Sequence, residues 1–572
     1  MTHVHNDPAD FREEVLRGFT AAYPAYVERV EDASGFVRAG GPAEGKVSLL
    51  VGGGSGHYPS YSGVVGVGFA DGAVLGDLFA SPSAEQVYRV GRAAEGGAGL
   101  VLGFGNYAGD RLNFGVAAER LRGEGIDTRV VWVTDDVASA KPEERELRRG
   151  IAGTFTVYKI AGAAAEAGLD LDGVERVMRA ANEATFSFGV AFDGCTMPGA
   201  DAPLFTVDPA TMDFGLGIHG EPGISSAAWM PARELAGRLV EAVLAERPAG
   251  ASGRAAVLLN GLGATKYEEL FVLFGDVAEL LGQAGVELVQ PEVGELVTSL
   301  DMAGCSLSVT WLDEELETYW TAPAQTPSFR RGQPVPATSA VPRHRRSATG
   351  TAARQEEASE ASVAAAAVAR RAVAALRDVV AENADHLGRL DAVAGDGDHG
   401  IGMSRGASAA ATAADEAEGG VQSVLVAAGA AFGDRAGGTS GILWNLLLDG
   451  IGQALGNTEE VTPAGLAAAC RAGAAKLQEF GQAELGDKTM LDALFPFVDT
   501  LDEQVGRGQD LATAWQQAAA TAVQAAEATA GLTPKIGRAR PLAERSVGTP
   551  DPGAVSLGLI VTAVGAVLAA PA

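Results

Sequence analysis

The hydrophobic period of this chain changes once, near Thr321. Before that point, short apolar runs rich in Val and Leu alternate with segments of helical period. Val47–Val51, Gly99–Gly103, Arg129–Val133 and Ala255–Leu259 read as strands buried on both faces. Ala108–Arg122 and Lys266–Ala284 read as helices between them. Val286–Glu292 and Cys305–Trp311 add further strands that can form a subdomain. This rhythm predicts an α/β domain over residues 1–321 with a largely parallel sheet. After Ser359 the chain becomes alanine-rich. Ala361–Asn383, Ala464–Phe480 and Leu511–Ala530 read as long amphipathic helices, predicting an all-α domain over 359–572 with its chemistry on the loops. Residues 322–358 show neither period and are rich in Pro, Ser, Thr, Gly and Arg, as a linker would be. Arg330, Arg331, Arg343, Arg345 and Arg346 cluster there. They read as solvated, with contact to a nucleotide or an acidic protein face as the alternative.

The apolar tail Ala554–Ala572 approaches the length of a membrane span. It is rich in Ala, Gly and Val and has no basic anchors, so it reads as a buried helix closing a bundle. The 572 residues suffice for about three ordinary domains or two large ones, and 47% hydrophobic content permits substantial cores. A formal net charge of -30 argues against nucleic acid and anionic membranes as partners. Cys195, Cys305 and Cys470 are too far apart for a disulfide framework or a metal site, and the polar N-terminus lacks the regions of a signal peptide. A reducing cytoplasm is the expected setting.

Candidate chemistry concentrates in a few loops. LDAVAGDGDHGIG, over 390–402, brings Asp391, Asp396 and Asp398 into one short segment with His399. Carboxylates this close repel one another unless a cation or hydrogen-bond donors neutralise them. Hard oxygen ligands suit Mg²⁺ or Ca²⁺, and Mg²⁺ usually completes its shell with substrate phosphates. A solvated acidic turn is the alternative. GGTSG (437–441) precedes an apolar helix expected to begin near Ile442, and Asp551-Pro552-Gly553 precedes another. Helix starts attract phosphate, and Thr439 and Ser440 add hydroxyl donors. With GDKTM (486–490) these loops suggest a nucleotide–Mg²⁺ site, although none matches the P-loop pattern. In the first domain, His57 ends GGGSGH after the strand Val47–Val51, at the edge where α/β sheets bind ligands. His219 lies in GLGIHGEPG between glycines.

These segments, with FASPS (79–83), GNYAGD (105–110), GDKTMLDAL and ERSVGTPDPGAVS, resemble the dihydroxyacetone kinase family, in the family's order and over nearly the whole chain. The resemblance is to the single-chain, ATP-dependent form. It implies an N-terminal α/β ketose-binding domain of two subdomains and a C-terminal α-helical barrel that binds ATP. In that family a histidine captures the ketose carbonyl as a hemiaminal, and His219 matches it. An imidazole nitrogen can attack a carbonyl but not an alcohol, which would reject polyols. His57 and Asp110 match an acid/base pair, and Gly54, Ser55 and Gly56 match a substrate loop. Asp391, Asp396 and Asp398 match the ligands of a pair of Mg²⁺ ions. His399, Gly400, Ile401, Gly402, Thr439, Ser440, Gly481, Met490, Arg538, Asp551, Pro552 and Gly553 match nucleotide contacts. A homodimer is expected.

Two positions depart from the family pattern. Tyr58 stands where an acidic residue is usual, and Gly105 stands in place of a lysine beside a substrate contact. Loss of a cation and gain of space resemble a branch acting on four-carbon ketoses such as erythrulose. Erythrulose is therefore expected over dihydroxyacetone or glyceraldehyde, with Tyr58 and Gly105 as substrate-binding residues. A non-catalytic ketose sensor and a lyase forming a cyclic flavin phosphate are the other readings.

Overall fold

A computed structural model describes residues 4–332, 357–395, 397–436, 438–535 and 543–570. The chain divides into two compact units, 1–342 and 343–572.

The first unit contains two large sheets. The first is built from β1 (Val27–Arg29), β2 (Gly35–Arg38), β3 (Ser48–Ser55), β4 (Gly72–Leu78), β5 (Leu100–Gly105) and β6 (Thr128–Val133), in the order β1-β2-β4-β3-β5-β6. Strands β4, β3, β5 and β6 run parallel, and β1 and β2 form an antiparallel edge. The second sheet takes β7 (Thr185–Ala191), β8 (Thr211–Phe214), β9 (Ser225–Ala228), β10 (Arg254–Gly261), β11 (Glu287–Leu288), β12 (Glu292–Gly294) and β13 (Gly304–Trp311). Here the expectation of a largely parallel sheet is corrected. Strand β13 pairs antiparallel with both β10 and β7, and β7, β8 and β9 continue antiparallel. The physical reason is burial on both faces. In β10, Ala255, Val257 and Leu259 join one core while Ala256 and Leu258 join another. Such a strand is a continuous apolar run whichever way its neighbours point.

Packed chain also continues past Thr321. Strands β14 (Ala324–Gln325) and β15 (Arg330–Arg331) form an antiparallel pair. Arg331 is buried, with Nη2 donating to Glu292 Oε1 at 2.5 Å and the ring of Trp320 beneath its guanidinium. Arg331 is thus an anchor and not a solvated linker cation. Arg343, Arg345 and Arg346 lie outside the described residues.

In the second unit, the helices Glu360–Glu382, His399–Glu416, Val421–Ala436, Gly438–Leu455, Pro463–Gly481, Leu491–Gly506, Leu511–Ala528 and Pro552–Ala569 form a closed ring. Each packs on the next, and the last packs on the first. Small residues allow the close approach: a side chain on Gly450 would meet Gly473 Cα at 2.8 Å. Pro552–Ala569 is long and apolar enough to cross a membrane by length and composition, yet it is the helix that closes this ring. Trp515 Nε1 donates to Val561 O at 2.8 Å across one of its seams. Side chains around the ring, among them Trp444, Leu447, Leu494, Phe497 and Trp515, line an apolar cavity of about 650 Å³.

Close packing also holds the first unit. In the helix Thr154–Glu166, a Cβ on Gly162 would lie 1.9 Å from the carbonyl oxygen of Phe69, a backbone atom with little freedom to retreat. Gly162→Ala is expected to lower unfolding stability by ~1–3 kcal/mol, read from the midpoint of denaturant unfolding. An unchanged midpoint would contradict this packing.

Candidate active site

Backbone geometry at the end of β3 aims His57 inward. Gly56 has φ +103, and a Cβ there would meet the ring of Phe79 at 2.7 Å. Gly54 lies equally close to the backbone of Phe79 and Ala80, and Ser55 Oγ donates to Gly76 O at 2.6 Å. The substrate-loop residues are thus packed to hold a turn. His57 is buried, with Nδ1 2.7 Å from Thr298 O and its ring stacked on Phe79 at 5.1 Å between centroids.

His219 enters from the loop between β8 and β9. Its Nε2 lies 3.0 Å from His57 Nε2, and its Nδ1 lies 3.1 Å from Glu221 Oε1. Tyr107 and Phe79 pack edge-on against its ring at 4.8 and 5.3 Å. Burial, and then the neighbouring His219, push His57 down to about 3. Burial opposes ionisation of Glu221, but the His219 hydrogen bond and charge, with Arg149, hold its carboxyl down to about 2. Behind it, Arg149 Nη2 pairs with Asp136 Oδ2 at 2.8 Å.

Asp110 occupies the first turn of the helix Ala108–Gly123, where the helix dipole favours a carboxylate. Burial outweighs the dipole. It pushes the carboxyl up to about 6, against a hydrogen bond from Ser81 and the charge of His219. Its Oδ1 is buried without a hydrogen-bond partner. An acceptor atom left uncompensated within the field of His219 is suited to taking a proton from a bound hydroxyl.

Tyr58 and Gly105 have surroundings that differ from the open space the sequence suggested. Tyr58 is 45% exposed, its ring 6.1 Å from Phe19, and Tyr23 hydrogen-bonds it. It leans on the helix Phe11–Ala22, whereas the ring contacts of His219 are with His57, Phe79 and Tyr107. Gly105 does not open space either. A Cβ there would meet Gly150 O at 3.1 Å and the Tyr107 ring at 3.2 Å. Side-chain direction is set by tertiary packing that no local pattern encodes.

In the second unit a cavity of about 420 Å³ gathers Asp391, Asp398, His399, Gly402, Thr439, Ser440, Gly481, Met490, Asp551, Pro552 and Gly553. Four helix starts open onto it, at His399, Gly438, Leu491 and Pro552. The last helix is capped by Asp551, whose Oδ2 accepts from Ala554 N at 2.8 Å. GGTSG enters this helical geometry earlier than expected, since its helix begins at Gly438 and not near Ile442. Ser440 Oγ lies 3.3 Å from His399 Nδ1, and Gly397 N donates to Asp391 Oδ2 at 2.8 Å. Gly400 and Ile401 do not line the cavity, which corrects the expectation for both. Gly400 faces Ala384 O and Ile401 is exposed, because a helix starting at His399 turns positions 399 and 402 inward. Asp396 and Arg538 lie outside the described residues.

Carboxylates and hydroxyls offer hard oxygen donors for Mg²⁺, helix starts suit phosphates, and Leu443, Trp444 and Leu477 supply an apolar wall for a base. The residues therefore fit a nucleotide with Mg²⁺. Among the described residues, no three His, Cys, Asp or Glu side chains could hold a metal by themselves. Lys488 lines the same cavity, its Nζ donating to Ser546 O at 2.7 Å and Leu532 O at 3.2 Å.

The Dak1 domain model matches residues 17–328, and the DAK2 domain model matches 393–566. The chain belongs to the dihydroxyacetone kinase family. It is 54% identical to a D-erythrulose kinase of Mycolicibacterium smegmatis, over 99% of this chain and 98% of that protein. It is 50% identical to an L-erythrulose kinase of Pectobacterium atrosepticum, over 99% and 97%. The crystal structure of the dihydroxyacetone kinase from C. freundii in complex with AMP-PNP and Mg²⁺ superposes with a TM-score of 0.61 at 30% identity, covering 98% of this chain and 99% of that one. A member of this family is a phosphotransferase with an alcohol as acceptor, and so is this chain. Of the site residues that sequence reasoning missed, Glu221 and Tyr107 lay inside quoted motifs. Thr298 and Arg149 carry no local signal.

Burial of Asp110 has a stability consequence. With its carboxyl raised, the cost of ionising it is present in full above about pH 6 and absent below about pH 4, where the unfolded chain is also protonated. Asp110→Asn is expected to stabilise the fold by about 2 kcal/mol at pH 7.5 and to do so much less at pH 4. Thermal unfolding at both pH values checks this, and an equal shift at both would rule out the burial account.

Proposed function

We propose that this chain phosphorylates the terminal hydroxyl of a short-chain ketose with ATP, and that its preferred ketose is erythrulose. The observation that carries the reading is the cluster of His219, His57 and Asp110. It pairs an imidazole with a raised carboxyl whose Oδ1 has no hydrogen-bond partner. In this reading His219 Nε2 bonds to the ketose carbonyl carbon, fixing the substrate and refusing alcohols without a carbonyl. His57 acts on the former carbonyl oxygen, and Asp110 accepts the proton of the terminal hydroxyl. Asp391 and Asp398 would hold Mg²⁺, while Thr439, Ser440 and the helix starts at the cavity would hold the phosphates. Bound Mg²⁺ supplies neutralisation of the charge that develops during phosphoryl transfer. Three buried thiols, Cys195, Cys305 and Cys470, accord with a reducing cytoplasm.

Erythrulose is supported by the full-length similarity to two erythrulose kinases and not by Tyr58, which leans away from the histidines. Coupled ATP consumption should show a higher kcat/KM for D- or L-erythrulose than for dihydroxyacetone or glyceraldehyde. Equal or better efficiency on dihydroxyacetone would return the chain to the three-carbon reading.

Asp398→Asn should cut turnover at least ~100-fold, the loss expected when a metal ligand leaves a phosphoryl-transfer site. Ketose affinity, measured calorimetrically without nucleotide, should stay at the wild-type value. Wild-type turnover at limiting Mg²⁺ would remove Asp398 from the metal site.

A further inference from the structure

The partners of the two imidazoles dictate where their protons sit. Thr298 O can only accept, so His57 Nδ1, 2.7 Å away, carries a hydrogen. The carboxylate of Glu221 can only accept, so His219 Nδ1, 3.1 Å away, carries one too. Each ε-nitrogen of a neutral ring is then a lone pair, and the two face each other at 3.0 Å.

Glu221 is built to serve this tautomer. Its chain folds back so that Oε2 accepts from His219 N at 3.0 Å while Oε1 meets the ring. The fold-back depends on Gly217, where a Cβ would lie 2.1 Å from Glu221 Oε2. Gly220, with φ +81, makes the turn between His219 and Glu221. Arg149 Nη1 stands 3.7 Å from Glu221 Oε2 and is itself neutralised by Asp136. The negative charge of Glu221 therefore remains for the imidazole.

We infer that Glu221 is the positioning residue of carbonyl capture: its carboxylate keeps the His219 hydrogen on Nδ1, leaves the Nε2 side to the ketose, and opposes the charge the ring gains on bonding. This rests on the reading of His219 as the residue that bonds the ketose. In the step, the Nε2 lone pair forms the N–C bond. The carbonyl π pair moves to oxygen, which takes a proton from solvent water. The alkylated ring keeps its Nδ1 hydrogen and a positive charge, facing Glu221. The hydroxide left in solvent balances the charge, and water is the only further reagent.

The test uses full-length protein labelled with [15N]histidine and carbon-13 at the carbonyl of erythrulose. With seven histidines in the chain, the His219 signals can be assigned by their loss in His219→Ala. In the wild type, His219 should carry hydrogen on Nδ1, and saturating ketose should convert the carbonyl signal into a tetrahedral one. In Glu221→Gln, His219 should shift toward the Nε2–H tautomer. The ketose concentration needed for the tetrahedral signal should rise at least tenfold, and KM should rise with it more than kcat falls. A wild-type ring unprotonated at Nδ1 overturns the proposal without recourse to a variant. So does Glu221→Gln with wild-type tautomer and ketose dependence, and in that case capture itself stands. A wild type without a tetrahedral signal overturns capture and the proposal together.

Discussion

The first unit depends on bringing two imidazole nitrogens to 3.0 Å. His57 comes from the end of a parallel strand in one sheet, and His219 from a loop of the other. Neither sheet alone makes a site. The approach is held by groups that have no polar chemistry of their own to perform. Gly56 permits the turn against Phe79, Thr298 fixes one ring through its carbonyl, and Gly217 admits the fold-back of Glu221. Asp110 is the cost of this arrangement, a carboxyl kept in a buried place where its charge is disfavoured. A buried carboxyl that destabilises the fold and keeps one oxygen without a hydrogen-bond partner is what a base awaiting a hydroxyl looks like.

The second unit solves a different problem with different means. An anionic ligand must be held by a chain whose own formal charge is -30. Among the described residues Lys488 is the lysine that lines the cavity, and helix starts surround it. Four of them open on one space, with the hydroxyls of Thr439 and Ser440 among their first residues. Closing the helices into a ring is what brings these starts together, since His399, Gly438 and Pro552 are far apart in sequence. The small residues that marked the tail as a packed helix and not a membrane span are ones along which Pro552–Ala569 meets its neighbours, as Gly558 does Val523 and Gly565 does Trp515.

Much of this was legible in the sequence because it is encoded locally. Glycine-rich turns after apolar runs located His57 and His219, and the change of period located the helical unit. Residues 402, 439, 440 and 551–553, singled out from separate loops, line one cavity of the second unit. The failures share one cause, which is that side-chain direction and strand direction are tertiary properties. Tyr58 is adjacent to His57 in sequence but turns to the helix Phe11–Ala22. Gly105 looked like vacated space, but Tyr107 and Gly150 crowd it. Strand β13 alternates Cys305, Leu307, Val309 and Trp311 with Ser306, Ser308 and Thr310, all buried, so that burial of both faces does not reveal which way its neighbours run. Thr298 and Arg149 act through groups more than a hundred and about seventy residues distant, and no spacing rule reaches that far.

The central claim is that His219 bonds to its substrate and does not merely touch it. A crystal structure of the protein soaked with erythrulose in the absence of ATP tests this most directly. The account predicts continuous density from His219 Nε2 to a tetrahedral carbon at the former carbonyl position. A planar carbonyl resting at van der Waals distance from that nitrogen would contradict it.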